Sequence, residues 1–147
     1  MTIDAIHAPF THFPILTTKR LRLRRVEPRD SEALYAIYSD KETIRYFGHE
    51  PYQSLEEVAE TLRLREEDYA ARRAIRWGIA LKDADILIGS CGFHHFGEGY
   101  YRAETGYILN RAYWGQGIMA EALTAIISYG FDEMELHRIE AIIDIAN

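Results

Sequence analysis

Residues 101–131 run from an alternating stretch through a glycine turn, Trp114-Gly115-Gln116-Gly117-Ile118-Met119-Ala120, into a strongly amphipathic helix. No other part of the chain restricts the fold as much. Gly115 and Gly117 remove side chains where a backbone must come close to a ligand. The helix behind them offers unpaired N–H groups and a partial positive charge. Such a turn suits a pyrophosphate, and an anionic cofactor is the first expectation. Met119, Ala122, Leu123, Ile126, Ile127 and Gly130 recur at three-and-four spacing, which predicts one buried helical face with Gly130 and Phe131 at the exit. Glu121, in the first turns, suits the helix dipole. Residues 101–109 and 138–143 read as strands, so the unit predicts a strand-helix-strand crossover between parallel strands.

The string Gly115-x-Gly117-x-x-Ala120 also matches a dinucleotide fingerprint. In a dinucleotide fold, however, the first glycine directly ends an apolar parallel strand near the start of the domain. Here the polar, aromatic loop Asn110-Arg111-Ala112-Tyr113-Trp114 intervenes, and the strands upstream form a meander. That context disfavours a nicotinamide or flavin site.

Upstream, an irregular lead passes Pro9 and Pro14 and ends near residue 17, before an alternating strand over residues 21–26. A helix over residues 28–39 follows, with Leu34, Ile37 and Tyr38 on one side. Ser54-Leu55-Glu56-Glu57 has the form of a capping box and predicts a longer helix to about residue 73, its inward face Leu55, Val58, Ala59 and Leu62. Residues 75–81 and 86–96 read as two strands, and Gly97-Glu98-Gly99 turns into the strand that carries Glu104.

This element order, together with Thr18-Lys19-Arg20-Leu21-Arg22-Leu23-Arg24, Ile88-Gly89, Ala103-Glu104-Thr105-Gly106-Tyr107-Ile108-Leu109, the glycine turn and Leu136-His137-Arg138-Ile139-Glu140-Ala141, resembles the GNAT acyl-CoA N-acyltransferases. Within them it is similar to the branch that acetylates ribosomal-protein N-termini, RimJ/RimL-like. The resemblance runs from about residue 16 to the last residue. Two positions depart from the general family pattern. Trp114 stands where Gln or Arg is usual and Met119 where Gly or Ala is usual, so backbone contacts to phosphate carry over better than side-chain ones.

The resemblance implies an α/β (α+β) fold with a mixed, mostly antiparallel sheet and a β-α-β crossover that binds CoA. It implies acetyl-CoA as co-substrate, no metal, and a primary amine as acceptor, preferably a protein or peptide N-terminal α-amine. A small-molecule amine and a CoA-binding module of weak turnover stand as alternatives. The pyrophosphate would rest on Gly115, Gln116, Gly117, Ile118, Met119 and Ala120, with the pantetheine arm beside Tyr107, Ile108 and Leu109 like an added strand. Leu109 N–H is the candidate oxyanion donor. Glu104 is the candidate base, or else it holds a backbone group or a substrate ammonium. Relatives continue past a cofactor-binding asparagine corresponding to Asn147 with a helix that carries the thiolate's proton donor, and then two strands. The expectation is therefore a single domain over residues 1–147 without that portion, its last strand open to pairing with another chain.

Other features have plainer readings. His94 and His95 are adjacent in a strand, so at most one is expected to face the site. His137 is read as structural. Arg20, Arg22 and Arg24 line one strand face, either solvated and salt-bridged or attracting an acidic peptide or RNA. Tyr46, Phe47, Tyr52 and Tyr113 either wall a substrate slot or belong to the core. Cys91, the single cysteine, is read as buried and inert. The 147 residues, 48% of them hydrophobic, suffice for one core, and the net charge of −6 argues against general nucleic-acid binding. No basic leader or membrane-length apolar run is found, which gives a cytoplasmic protein as the expectation.

Overall fold

The computed structural model describes residues 3–143. Its elements are helix α1 (Ile3–Thr11), strands β1 (Leu16–Thr17) and β2 (Leu21–Arg24), helices α2 (Ser31–Tyr38) and α3 (Leu55–Ala70), strands β3 (Ala74–Leu81), β4 (Leu87–His94) and β5 (Arg102–Leu109), helix α4 (Ile118–Asp132) and strand β6 (Arg138–Ala141). The six strands form one sheet in chain order. Every neighbouring pair is antiparallel except β5 and β6, which α4 joins in parallel. This is the expected mixed, mostly antiparallel sheet with its crossover.

Strand alternation sorts the side chains between two cores. Ile75, Trp77, Ile79, Cys91, Phe93, Ala103 and Leu109 point to one face and pack with Ile118, Ala122 and Ile126 of α4. Ile108 points to the other, as does Leu87 beyond the register shift between β3 and β4, and both pack with Leu34, Ile37 and Tyr38 of α2 and Val58 of α3. Cys91 is buried in the first core, and burial pushes its thiol pKa up to about 12, so it stays protonated and unreactive.

Several expectations are corrected. The lead is not irregular: α1 forms with Pro9 inside it, where the Pro9 carbonyl accepts from Tyr69 Oη (2.5 Å) and Phe10 packs on the Tyr69 and Phe96 rings. Tertiary packing outweighs proline's helix penalty there. The capping box does not close. Glu57 Oε2 accepts from Gln53 N–H (2.6 Å) rather than from Ser54, and the Ser54 side chain caps nothing. Only Val58 of the expected α3 face is buried, while Leu55 and Ala59 are exposed. Gly130 is not the exit of α4 either. The helix runs on to Asp132, and Gly130 is buried where an added Cβ would lie 3.0 Å from the Phe93 ring, so it is a packing glycine.

The expected arginine stripe divides. Arg24 is buried, gripping Asp30 with both terminal nitrogens (2.8 and 2.9 Å) and Asp85 with Nε (2.7 Å). Arg20 lies just ahead of β2 and, though exposed, pairs with Glu121, leaving Arg22 as the exposed member with no ion pair among the described residues. The salt-bridged reading of Arg20 and Arg24 therefore describes what forms.

Candidate functional site

Pairing between β5 and β6 lasts only four residues, from Arg102 opposite Arg138 to Thr105 opposite Ala141. Beyond it, among the described residues, Gly106, Tyr107, Ile108 and Leu109 have no strand partner on that side, and the ladder opens into a fork of which the β5 prong alone is described. Asn110 N–H donates to Ile88 O of β4 (2.7 Å). Because successive strand residues send their N–H groups to opposite sides, Leu109 N–H points away from β4 and into the fork. Leu109 O points the same way and accepts from Trp114 Nε1 (2.8 Å). Trp114 thereby pins the glycine turn to the end of β5, a role its position in the motif does not reveal.

Gly115 and Gly117 have φ of +74° and +75°, the left-handed region that side chains resist. Gly117 is the residue from which α4 starts, and its carbonyl accepts from Glu121 N–H (3.1 Å). The N–H groups of Ile118, Met119 and Ala120 therefore have no partner within the helix. Arg20 braces the turn from below. Its Nη1 donates to Gln116 O (2.9 Å) while its Nε donates to Glu121 Oε1 (2.8 Å).

A cleft of about 460 Å³ joins these parts. Tyr107, Ile108, Leu109, Gly115, Gly117, Ile118, Met119 and Ala120 all line it. Gln116 is not among the lining residues, its carbonyl accepting from Arg20, and Asn147 lies outside the described residues. The far wall is the segment 42–47, of which the sequence singled out Tyr46 and Phe47 but not Glu42, Thr43 or Arg45; Tyr113 also lines the cleft, whereas Tyr52 stacks on Tyr38 beside the second core. A cleft of this size, with free helix N–H groups at one end and an unpaired strand edge along its side, fits an extended ligand that carries a pyrophosphate and amides.

Glu104 sits at the other end of β5, opposite His94 of β4. Here the expectation that only one histidine could face the site is overturned. β4 ends at His94, and His95 adopts φ +47°, so the strand alternation that would separate the two rings is broken. Both imidazoles meet Glu104. His95 Nδ1 lies 2.6 Å and His94 Nε2 3.4 Å from Glu104 Oε2, and the two rings stand edge to face at 4.6 Å. The His95 hydrogen bond draws the Glu104 carboxyl below its ordinary value despite partial desolvation. Burial, helped by the charges of His95 and Arg76, lowers the pKa of His94 against the pull of Glu104. At neutral pH the pair is thus a carboxylate beside a neutral imidazole. The ligand atoms of His94, His95 and Glu104 all lie within 4.8 Å of one another, and among the described residues this is the group spaced to share a cation. His137 is exposed, its ring tilted on Tyr101 (5.3 Å) and its N–H donating to Tyr101 O (2.7 Å), which starts β6.

No helix among the described residues is long and apolar enough to cross a membrane. Comparison with known proteins agrees with the architecture. The family model for the acetyltransferase (GNAT) domain matches residues 20–147. The chain is 39% identical over 131 residues to an uncharacterized N-acetyltransferase, YoaA, of Bacillus subtilis, covering 89% of this chain and 74% of that one. It is 30% identical over 135 residues to the [ribosomal protein uS5]-alanine N-acetyltransferase of Escherichia coli, covering 86% and 68%. Among solved structures, a GNAT-family acetyltransferase from Bacillus anthracis superposes with a TM-score of 0.79 at 30% identity, over 91% of this chain and 76% of that one. The glycine turn, the forked sheet and these likenesses agree, and the chain belongs to the GNAT family of N-acetyltransferases.

Proposed function

We propose that this chain transfers an acetyl group from acetyl-CoA to a primary amine, with the N-terminal α-amine of a peptide or protein as the preferred acceptor, by direct attack within a ternary complex. The observation that carries the reading is the open edge of β5 above the start of α4. It offers one ladder of backbone groups to a pantetheine arm and one set of helix N–H groups to a pyrophosphate. Acetyl-CoA supplies the acyl group as an activated thioester. Leu109 N–H faces the fork and is the donor for charge that develops on the thioester oxygen. The E. coli relative, named for an alanine of a ribosomal protein, supports a protein amine as acceptor.

The acceptor nitrogen must be neutral when it attacks. An α-amino group, titrating at about 7.7 to 8.0, is far easier to deprotonate than a lysine near 10.4. Glu104, ionised at neutral pH, orients the ammonium and takes or relays its proton, and the neutral His94 beside it is a second acceptor within reach. The test is acetylation of N-terminal peptides, with aminoglycosides and polyamines as competing acceptors, alongside thermal protection by acetyl-CoA and by NAD. Equal protection by the two nucleotides would sink the reading. Turnover on polyamines in preference to peptides would move the acceptor to small amines.

A further inference from the structure

A second, smaller cleft of about 140 Å³ lies on the α2–α3 face of the sheet. It shares Phe47, Tyr107 and Ile108 with the large cleft, and His94, the neighbour of Glu104, stands on its border. Gly106 leaves its floor low, since a Cβ there would come within 3.2 Å of the His94 ring. A molecule in this cleft would therefore lie between the fork and the Glu104 cluster, where the acceptor must sit if the transferase reading holds.

The cleft is lined by two guanidinium groups, Arg65 from α3 and Arg76 from β3. Most arginines of the chain are matched to carboxylates, including Arg20, Arg24, Arg25, Arg29 and Arg63. Arg65 differs. Its Nη2 donates to Tyr38 Oη (2.5 Å), its plane lies over the Tyr38 ring at 5.8 Å, and its Nη1 is buried with no hydrogen-bond partner. Among the described residues no carboxylate lies within ion-pair distance of it. Arg76 has only a long contact to Asp68 Oδ2 (3.4 Å), and Asp68 is shared with Arg73, whose Nε holds Oδ1 at 3.0 Å. Two guanidinium groups, Arg73 and Arg76, thus share one carboxylate, and among the described residues Arg65 has none. The positive charge is left over at the cleft, on a chain whose net charge is −6.

A buried guanidinium N–H without an acceptor is costly, and its forked geometry matches a carboxylate better than any neutral group. We propose that this cleft is an acceptor subsite for a carboxylate, so that the preferred substrate is an amine with a carboxylate a few bonds away, held by Arg65 and Arg76 while the amine lies toward Glu104. The carboxylate has two possible sources, an acidic side chain near a peptide N-terminus or the α-carboxylate of a free amino acid.

The proposal rests on the transferase reading, and the test separates the two. With the chain and saturating acetyl-CoA, kcat/KM is measured for Ser-Glu and Ser-Gln N-terminal peptides, and for a free amino acid against its amide. Binding of the same four compounds is measured by calorimetry in the presence of CoA. The carboxylate member of at least one pair is expected to be favoured by roughly 10- to 100-fold, the worth of a charge-assisted hydrogen bond. The pair that shows the preference identifies the source. In Arg65→Met and Arg65→Lys chains that preference should collapse toward one while the KM for acetyl-CoA holds. No turnover on any amine, with carboxylate binding that still requires Arg65, supports the subsite and overturns the transferase reading. Equal rates and equal binding within both pairs in the unaltered chain overturn the subsite and leave the transferase standing.

Discussion

Glu121 holds Arg20 at two points: its Oε2 accepts the Arg20 backbone N–H at 2.9 Å and its Oε1 accepts Arg20 Nε at 2.8 Å. Thr18 adds its hydroxyl to Oε2 at 2.5 Å. The carboxylate that suits a helix dipole is thus also a staple between the turn ahead of β2 and the start of α4. Arg20 extends it to Gln116 O in the glycine turn (2.9 Å). Burial opposes ionisation of Glu121, but the Thr18 hydroxyl and the Arg20 N–H and guanidinium outweigh it and hold its pKa at about 2.

Glu121→Gln should therefore loosen the glycine turn without touching the ligand. We expect a loss of about 2 kcal/mol in urea unfolding, typical of hydrogen bonds to a charged group, and weaker acetyl-CoA binding by calorimetry. The acid limb should change as well. Between its ordinary value of 4.5 and about 2 the folded Glu121 binds fewer protons than the unfolded one, so the parent chain loses stability as pH falls through that window. The variant should lack this part of the slope.

Gly117→Val places a β-branched residue at φ +75°. The backbone strain, about 1 to 2 kcal/mol, is enough to shift the turn, and the added Cβ would lie 3.6 Å from Arg20 Nη2, against the brace of the turn. Thermal protection by acetyl-CoA should disappear while the chain remains folded by circular dichroism. Protection equal to that of the parent would remove the turn from the binding site.

Because Glu104 and His94 both have lowered pKa values, neither should produce the neutral-pH limb of the rate profile. On a peptide acceptor, kcat/KM should climb with pH and level off at about 7.7 to 8.0, the pKa of the amine itself. Glu104→Gln should lower turnover by roughly 100-fold at pH 7, with the deficit shrinking above the amine's pKa. A deficit that stays constant across that range assigns Glu104 to orientation alone.

Asp30→Asn leaves the buried Arg24 with Asp85 as its remaining carboxylate. Urea unfolding should show a loss of about 3 kcal/mol, the low end for breaking a buried pair. Burial raises the Asp30 carboxyl, yet Arg24 and the Glu27 N–H bring it below 3.8, so its contribution is present above that value and fades as pH falls.

Much of this was legible in the chain itself. The spacing of Ala122 and Ile126 located the face of α4, and the paired glycines located the turn, because both follow from local periodicity and local backbone freedom. The misses share a different cause. Pro9 within α1 is accommodated by Tyr69, which lies 60 positions away, and Glu121 meets Arg20 across 101. Only the assembled fold brings such partners together. His94 and His95 were misjudged for a local reason of another kind: the strand rule holds only while the strand does, and His95 is the first residue past its end. Leu55 and Ala59 failed because an amphipathic pattern predicts a face but not how much of it the sheet will cover. Arg65 carries no motif at all, and its lack of a carboxylate partner among the described residues becomes visible only in the assembled fold.

Among the described residues, the half of β5 beyond Thr105 has no strand neighbour on the β6 side. On the proposed reading the pantetheine arm of acetyl-CoA completes this edge, so binding free energy enters directly into the stability of the protein. At a free concentration one hundred times the dissociation constant, that linkage is worth about 2.7 kcal/mol. The resistance of the chain to unfolding and proteolysis then follows the supply of acyl carrier in its surroundings. Its lifetime becomes a gauge of that supply, independent of whether any amine is being modified.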